Sequence, residues 1–249
     1  MKKHYPWLIL SASLTVGSAN AGTMGPVVEP SPWRWVGTLS AGPVWIDNVK
    51  SQTFFLTPEI VKTYTVNDDN SPVFNGEIFI GAQQMWSPSF YSQWGLAVAA
   101  TTNAKLSGHI WDDADPEFDN LTYRYKIQHT YVAFKGKLLA DMGYWFMPWL
   151  SGSVGVGFNH AHDFTNKPLI FEALPNPNFT SHNETSFSYT VGAGVQMTVN
   201  SNWQVGVGYE FADWGKNTLG RAAGQTTHSS LGHDHLYTNG VLFNLTYLA

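Results

Sequence analysis

Phe187-Ser188-Tyr189-Thr190-Val191-Gly192-Ala193-Gly194-Val195-Gln196-Met197-Thr198-Val199 sets apolar or aromatic side chains on every odd position and Gly, Ser, Thr or Gln on every even one. A period of two is the mark of a strand whose faces meet two different surroundings. After Asn200-Ser201 the alternation restarts, with Trp203, Val205, Val207, Tyr209 and Phe211 set against Gln204, Gly206, Gly208 and Glu210. Two such runs joined by so short a connection predict an antiparallel hairpin.

The same pattern recurs along the chain, giving eight predicted strands: Trp33 to Ile46, Asn75 to Trp86, Gln93 to Asn103, Thr122 to Leu138, Pro148 to Asn159, Phe187 to Val199, Trp203 to Phe211 and Tyr237 to Tyr247. Each reaches the roughly 9–11 residues that a tilted strand needs to cross a bilayer. The connections alternate long and short. Asp47 to Phe74, Ala104 to Leu121, His160 to Thr185 and Ala212 to Asp234 are long; Ser87 to Ser92, Leu139 to Met147 and Asn200-Ser201 are short. An eight-stranded antiparallel up-and-down transmembrane β-barrel keeps that order, with short periplasmic turns and four long external loops.

Composition says what touches the apolar face. Charged residues are 12% of the chain and aromatics 15%, with eleven Trp among 249 residues, whereas soluble domains carry roughly 25% charge. Mean hydropathy is slightly negative, and no mature stretch is long and apolar enough for a membrane helix. Alternation of polar and apolar residues within each strand reconciles these features in a lipid-facing barrel. Trp35, Trp86, Trp94, Trp203 and Tyr247 fall near the periplasmic strand ends, and Trp45, Tyr125 and Tyr209 near the external ends. Two rings of amphipathic aromatics around an aliphatic band match the two bilayer interfaces.

The start of the chain reads as an export signal over residues 1–21. Lys2 and Lys3 precede an apolar stretch from Trp7 to Val16 and the cleavage site Ala19-Asn20-Ala21. A Pro-rich periplasmic tail over 22–32 then leads into the barrel, 33–249. Losing Lys2 and Lys3 moves the net charge from −5 to −7, which argues against nucleic acid as a partner. With no Cys, disulfides and thiolate metal sites are excluded.

The predicted inner face is rich in Gly, as eight strands leave room for little more than side chains. Glu77, Arg124, Lys126 and Glu210 are assigned to it near the external strand ends, because Arg or Lys facing lipid at mid-bilayer costs about 2–4 kcal/mol. Two acids and two bases at one height read as a polar plug or as a gate. His129 then falls on the lipid side, where it fits poorly, and Pro43, which cannot donate to a ladder, predicts a bulge.

The loops carry candidate chemistry. Asp112, Asp113, Asp115, Glu117 and Asp119 could offer oxygens to Ca²⁺, although the EF-hand pattern is absent. His160, His162, His228, His233 and His235 are of the type that binds Zn²⁺ or Cu²⁺. Ser229 or Ser230 beside His228, with Asp234 or Glu210, has the composition of a hydrolytic set. A solvated loop is the simpler reading of all three groups, and no catalytic residue, metal or cofactor is assigned.

The alternating strands, the signal peptide and the ending Val241-Leu242-Phe243-Asn244-Leu245-Thr246-Tyr247 resemble the small outer-membrane barrel superfamily that includes the OmpA transmembrane domain, OmpW and opacity proteins. Gly22 to Val27 and Gly208 to Gly215 resemble a subgroup of opacity-type proteins. The resemblance implies export through the Sec pathway to a Gram-negative outer membrane. Its implied partners are membrane lipids and lipopolysaccharide, periplasmic chaperones, the outer-membrane assembly machinery, and a host surface or small hydrophobic ligand. A structural or surface-interaction role follows, with an OmpW-like channel for small hydrophobic molecules as the alternative and a lipid-modifying enzyme as a third reading. The chain departs from the pattern in having Leu248-Ala249 after the last aromatic and no peptidoglycan-binding domain after the barrel.

Overall fold

The computed structural model describes residues 33–47, 49–67 and 71–249; the signal and tail segments lie outside them. Among the described residues thirteen strands occur in chain order: β1 (Trp33–Asp47), β2 (Gln52–Thr57), β3 (Ile60–Tyr64), β4 (Val73–Ser87), β5 (Phe90–Thr101), β6 (Ala104–Asp112), β7 (Asp119–Ala140), β8 (Met147–Pro168), β9 (His182–Thr198), β10 (Trp203–Asp213), β11 (Asn217–Thr218), β12 (Gly232–His233) and β13 (Tyr237–Leu248). Eight of them close a ring in the order β1-β4-β5-β7-β8-β9-β10-β13, with β13 antiparallel to β1 from Leu248↔Val36 to Tyr237↔Asp47. The protein is an eight-stranded antiparallel transmembrane β-barrel.

The short turns close as their sequences dictate. Asn200 accepts backbone N–H bonds from Asn202 and Trp203 through its side-chain oxygen, both at 2.9 Å, the local bonding that makes Asn a turn residue. Asp141 does the same for Gly143, at 3.0 Å, and the glycine takes φ 76°. At the same end Arg34 donates to the carbonyls of Ser201, Leu248 and Ala249, at 3.1, 3.1 and 3.4 Å, tying β1 to β13 and to the β9–β10 turn.

The long connections differ from irregular loops. β7 pairs with β5 through its periplasmic half and with β6 through its external half. β6 carries β3, and β3 carries β2, so a sheet rises from one side of the barrel rim. The outer margin of β2 is itself covered: Thr226 and Thr227 donate to the Leu56 carbonyl, Thr227 Oγ1 to that of Phe55, and Gln52 bonds Gly232. Sequence alternation undercounted these strands because the pattern changes where they leave the membrane.

That change is clearest on β7. Its odd positions from Leu121 to Leu139 all face inward. In the periplasmic half, Val132, Phe134 and Leu138 face outward while Lys135 and Lys137 face the lumen, as lipid demands. In the external half Tyr123, Tyr125 and Ile127 are buried inside and Arg124, Lys126 and Gln128 stand outside, as water demands. One strand thus carries two opposite hydrophobic patterns, joined near Thr130. Pro43 produces no bulge: the β1 register runs from Ala41↔Phe243 to Val44↔Gly240 unshifted, with only the Gly42 and Pro43 rungs absent.

Candidate functional site

The lumen is filled in layers. At membrane depth, Lys135 Nζ lies 2.6 Å from Glu77 Oε1 and 3.1 Å from Glu210 Oε2, and Tyr131 donates its phenol to the second Glu77 oxygen at 2.5 Å. Glu77 is 2% exposed, Glu210 7% and Lys135 9%. A lysine shared between two carboxylates compensates charges that would be costly to bury alone. Below it Lys137 donates to Gln196 and lies over the Trp149 ring, 4.6 Å from its centroid, while Gln196 donates to Gln204 and Gln93 to Gln83. Trp149 lies against the glycines of β9 and β10. A Cβ on Gly208 would come within 2.2 Å of its indole and one on Gly194 within 2.6 Å, so only glycine leaves room there. The residual cavity among Glu77, Lys135, Trp149 and Glu210 is about 30 Å³, enough for water but for no solute.

Above this layer the indole of Trp214, from the β10–β11 connection, stacks on His129 at 4.7 Å and 4°. Asn159 fixes both: its Oδ1 accepts from His129 Nδ1 at 2.7 Å, and its Nδ2 donates to the Trp214 and Lys216 carbonyls at 2.8 and 2.7 Å. Higher still, Tyr64, Tyr123, Tyr125, Phe164 and Phe179 form an aromatic core with Leu219, Leu231 and Leu236. Tyr64 stands edge-on to Tyr123 and Phe179, at 5.5 and 5.6 Å. Burial lifts the Tyr64 and Tyr123 phenols well above the usual range.

Several sequence assignments change. Glu77 and Glu210 meet in the lumen, but Arg124 and Lys126 do not join them. Both stand on the outer face, where Arg124 donates to Thr165 and Lys126 pairs with Asp163 at 2.9 Å. The partner of the two glutamates is Lys135, which the inverted parity of β7 had hidden. Reversing that parity also explains His129, which is 2% exposed and faces inward. Tyr125 is likewise no interface aromatic: at 2% exposure it belongs to the external core, and Tyr123 accompanies it. Trp35 and Trp86, each 71% exposed, project outward, as do Trp94, Trp203, Tyr209 and Tyr247; Trp45 is half-buried. The Tyr209 phenol donates to Asn239 at 2.7 Å.

The loop candidates are dispersed. Asp112 takes Lys62, Asp119 takes His109 and Asp115 caps the 3₁₀ turn Pro116–Phe118. His160 and His162 stack at 4.7 Å, and His235 bonds Asp213 at 2.8 Å. Among the described residues no three His, Asp or Glu side chains converge on a metal position. His228, Ser229, Ser230, His233 and Asp234 line one external groove, while Glu210 is engaged by Lys135 in the lumen.

No protein-family model and no curated protein matches the chain. Among solved structures, it is similar to Neisserial surface protein A, with 11% identity over 86% of this chain and 96% of that one and a TM-score of 0.43. Ail, the attachment invasion locus protein of Yersinia pestis, has 13% identity over 87% and 97%, TM-score 0.34. The outer-membrane protein AlkL has 10% over 93% and 97%, TM-score 0.39. The closed ring, the outward apolar belt and the alternation of short and long connections give this chain the architecture of an eight-stranded transmembrane β-barrel.

Proposed function

We propose that the chain is a sealed, non-enzymatic outer-membrane barrel, delivered through the Sec route after loss of residues 1–21. Its raised outer sheet would meet lipopolysaccharide, host surfaces or other ligands. One observation carries this reading. The barrel axis is occupied from the Lys135–Glu77–Glu210 layer through the His129–Trp214 stack to the aromatic core around Tyr123 and Tyr125. That filling counts against the alternative of a conduit for small hydrophobic molecules. Of the hydrolytic candidates, Glu210 is held by Lys135 in the lumen, while His228, Ser229, Ser230 and Asp234 share one external groove; the non-enzymatic part is supported by the lack of any Ser–His or His–acid hydrogen bond within that set among the described residues.

Planar-bilayer recordings of the refolded protein test the reading. A silent barrel is expected; steady unitary conductance, or uptake of a hydrophobic solute into proteoliposomes, overturns it. Orientation is tested separately with Phe171→Cys in the β8–β9 connection and Met142→Cys in the β7–β8 turn. In intact cells an impermeant thiol reagent should label the first and spare the second.

A further inference from the structure

The outer face of β6, β7 and β8 concentrates positive charge immediately beyond the apolar belt. Of eleven Lys and Arg in the chain after residue 21, four stand there: Lys105, Arg124, Lys126 and Lys167. Register aligns them. Lys105 is directly opposite Lys126, Ser107 opposite Arg124, Arg124 opposite Thr165, and Thr122 opposite Lys167. Like charges directly opposed across strands are unfavourable for a sheet, so the Lys105–Lys126 rung is not there to stabilise the fold. One acid answers the group: Asp163 pairs with Lys126 and with His162, at 2.9 and 3.3 Å, and Lys126 holds its carboxyl below the ordinary range. Lys105, Arg124 and Lys167 have no ion pair among the described residues. Between Arg124 and Lys167 runs a groove lined by the hydroxyl-bearing Ser107, Thr122 and Thr165. Arg124 is held over it by donating to Thr165 at 3.2 Å.

Height selects the occupant. The last outward apolar residues on these strands are Val132 and Phe158, and Thr130 is paired with Phe158. Lys126 lies four residues beyond Thr130 and Thr122, the partner of Lys167, eight. At about 3.3 Å per residue and a strand tilt near 40°, these rungs stand roughly 10 and 20 Å above the hydrocarbon edge. That layer holds the headgroups of outer-leaflet lipids. Lysines opposed to each other, an arginine and a row of hydroxyls suit phosphate groups carried on sugar.

We propose that this face binds the phosphorylated saccharide headgroup of the outer-leaflet glycolipid. Lys105 and Lys126 take the phosphate nearest the acyl chains; Arg124, Lys167 and the hydroxyl groove take phosphate and sugar oxygens above it. The proposal rests on the outer-membrane placement and narrows the surface-contact reading to one ligand class.

The test is thermal unfolding of the refolded full barrel in neutral detergent micelles, followed by the heat-dependent shift of its band in gels. Lipopolysaccharide should raise the Tm in a saturable way, and its enzymatically dephosphorylated form should not. The variant Lys105→Gln/Arg124→Gln/Lys126→Gln should bind about 100-fold more weakly, from about 1 kcal/mol for each base at a charged lipid surface. The variant Lys50→Gln/Lys216→Gln/Arg221→Gln, elsewhere on the external side, should bind as wild type does. An unshifted starting Tm shows that each variant folds; a triple variant that does not fold is replaced by Lys105→Gln/Lys126→Gln, from which about 30-fold weakening is expected on the same scale. Equal protection of wild type and triple variant, or by the dephosphorylated form, overturns the proposal. So does equal protection by inorganic phosphate or by phosphatidylglycerol, each of which would mean that a generic anion suffices. A chain soluble without detergent would instead overturn the membrane placement itself.

Discussion

Lys135 on β7 reaches across the lumen to Glu77 on β4, Nζ to Oε1 at 2.6 Å, and the same ammonium touches Glu210 on β10 at 3.1 Å. Three strands that are not all neighbours in the ring are thereby joined through its centre. Truncation with Lys135→Ala leaves two carboxylates facing each other without a counter-charge in the buried lumen. We expect a loss of about 3–5 kcal/mol, the usual cost of breaking a buried pair, measured by urea unfolding in micelles. The compensated variant Glu77→Gln/Lys135→Met should recover most of it. A silent Lys135→Ala substitution would mean that solvent already screens the cluster.

Trp149 blocks the lumen at the level of Gly194 and Gly208. Trp149→Ala should lower stability by about 3–5 kcal/mol, as for other large-to-small core changes. It should nevertheless leave the barrel silent in planar bilayers, because the Lys135, His129–Trp214 and aromatic layers still close the axis. Steady ion conductance in the variant would assign the seal to Trp149 alone.

Tyr125 and Tyr209 are both tyrosines near the external membrane edge, but one is inside the outer core and the other on the lipid face. Tyr125→Ala should expose the β2–β3–β6 extension to added protease while the membrane ring stays intact on gels. Tyr209→Ala should leave that extension resistant. Equal resistance in the two variants would contradict the packing assigned to Tyr125.

His233 supplies a pH dependence outside the membrane. It is 8% exposed and its Nδ1 has no partner; burial pushes its pKa below the ordinary imidazole value near 6.5, against smaller opposing effects of the Lys50 backbone and Asp234. The unfolded connection therefore takes up the proton first. Stability contributed by the neutral ring is complete above pH about 6.5 and is lost as pH falls toward the lower folded value. Amide exchange at Lys50 and Gly232, taken relative to the intrinsic rate at each pH, should accelerate over that window in wild type and stay flat in His233→Phe. An identical acceleration in the variant would place the titrating group elsewhere.

The eight barrel strands, the turn order and the lipid-facing belt were legible in the sequence because one physical rule, apolar out and small or polar in, holds wherever strands cross hydrocarbon. The segment from Phe187 to Val199 obeys it throughout. β7 obeys it only from about Thr130 to Leu138, and the stretch around Tyr123 and Arg124 follows the opposite rule of a water-surrounded core. A single parity carried along the whole strand put Arg124 and Lys126 inside, Tyr125 outside, and hid Lys135. The misfit of His129 was the available signal: turning it inward turns Lys135 and Lys137 with it. Trp214 could not be found this way, since a connection folding back into the barrel mouth leaves no periodic trace.

The covering of β2 has an implication for how these molecules live crowded side by side. A rim sheet with a bare final strand would offer its free amides and carbonyls to any adjacent copy, and such ladders grow without limit. Thr226, Thr227 and Gly232 already occupy that margin. Loosening the segment that carries them, for example with Thr226→Pro/Thr227→Pro, would expose a template for uncontrolled zippering between barrels.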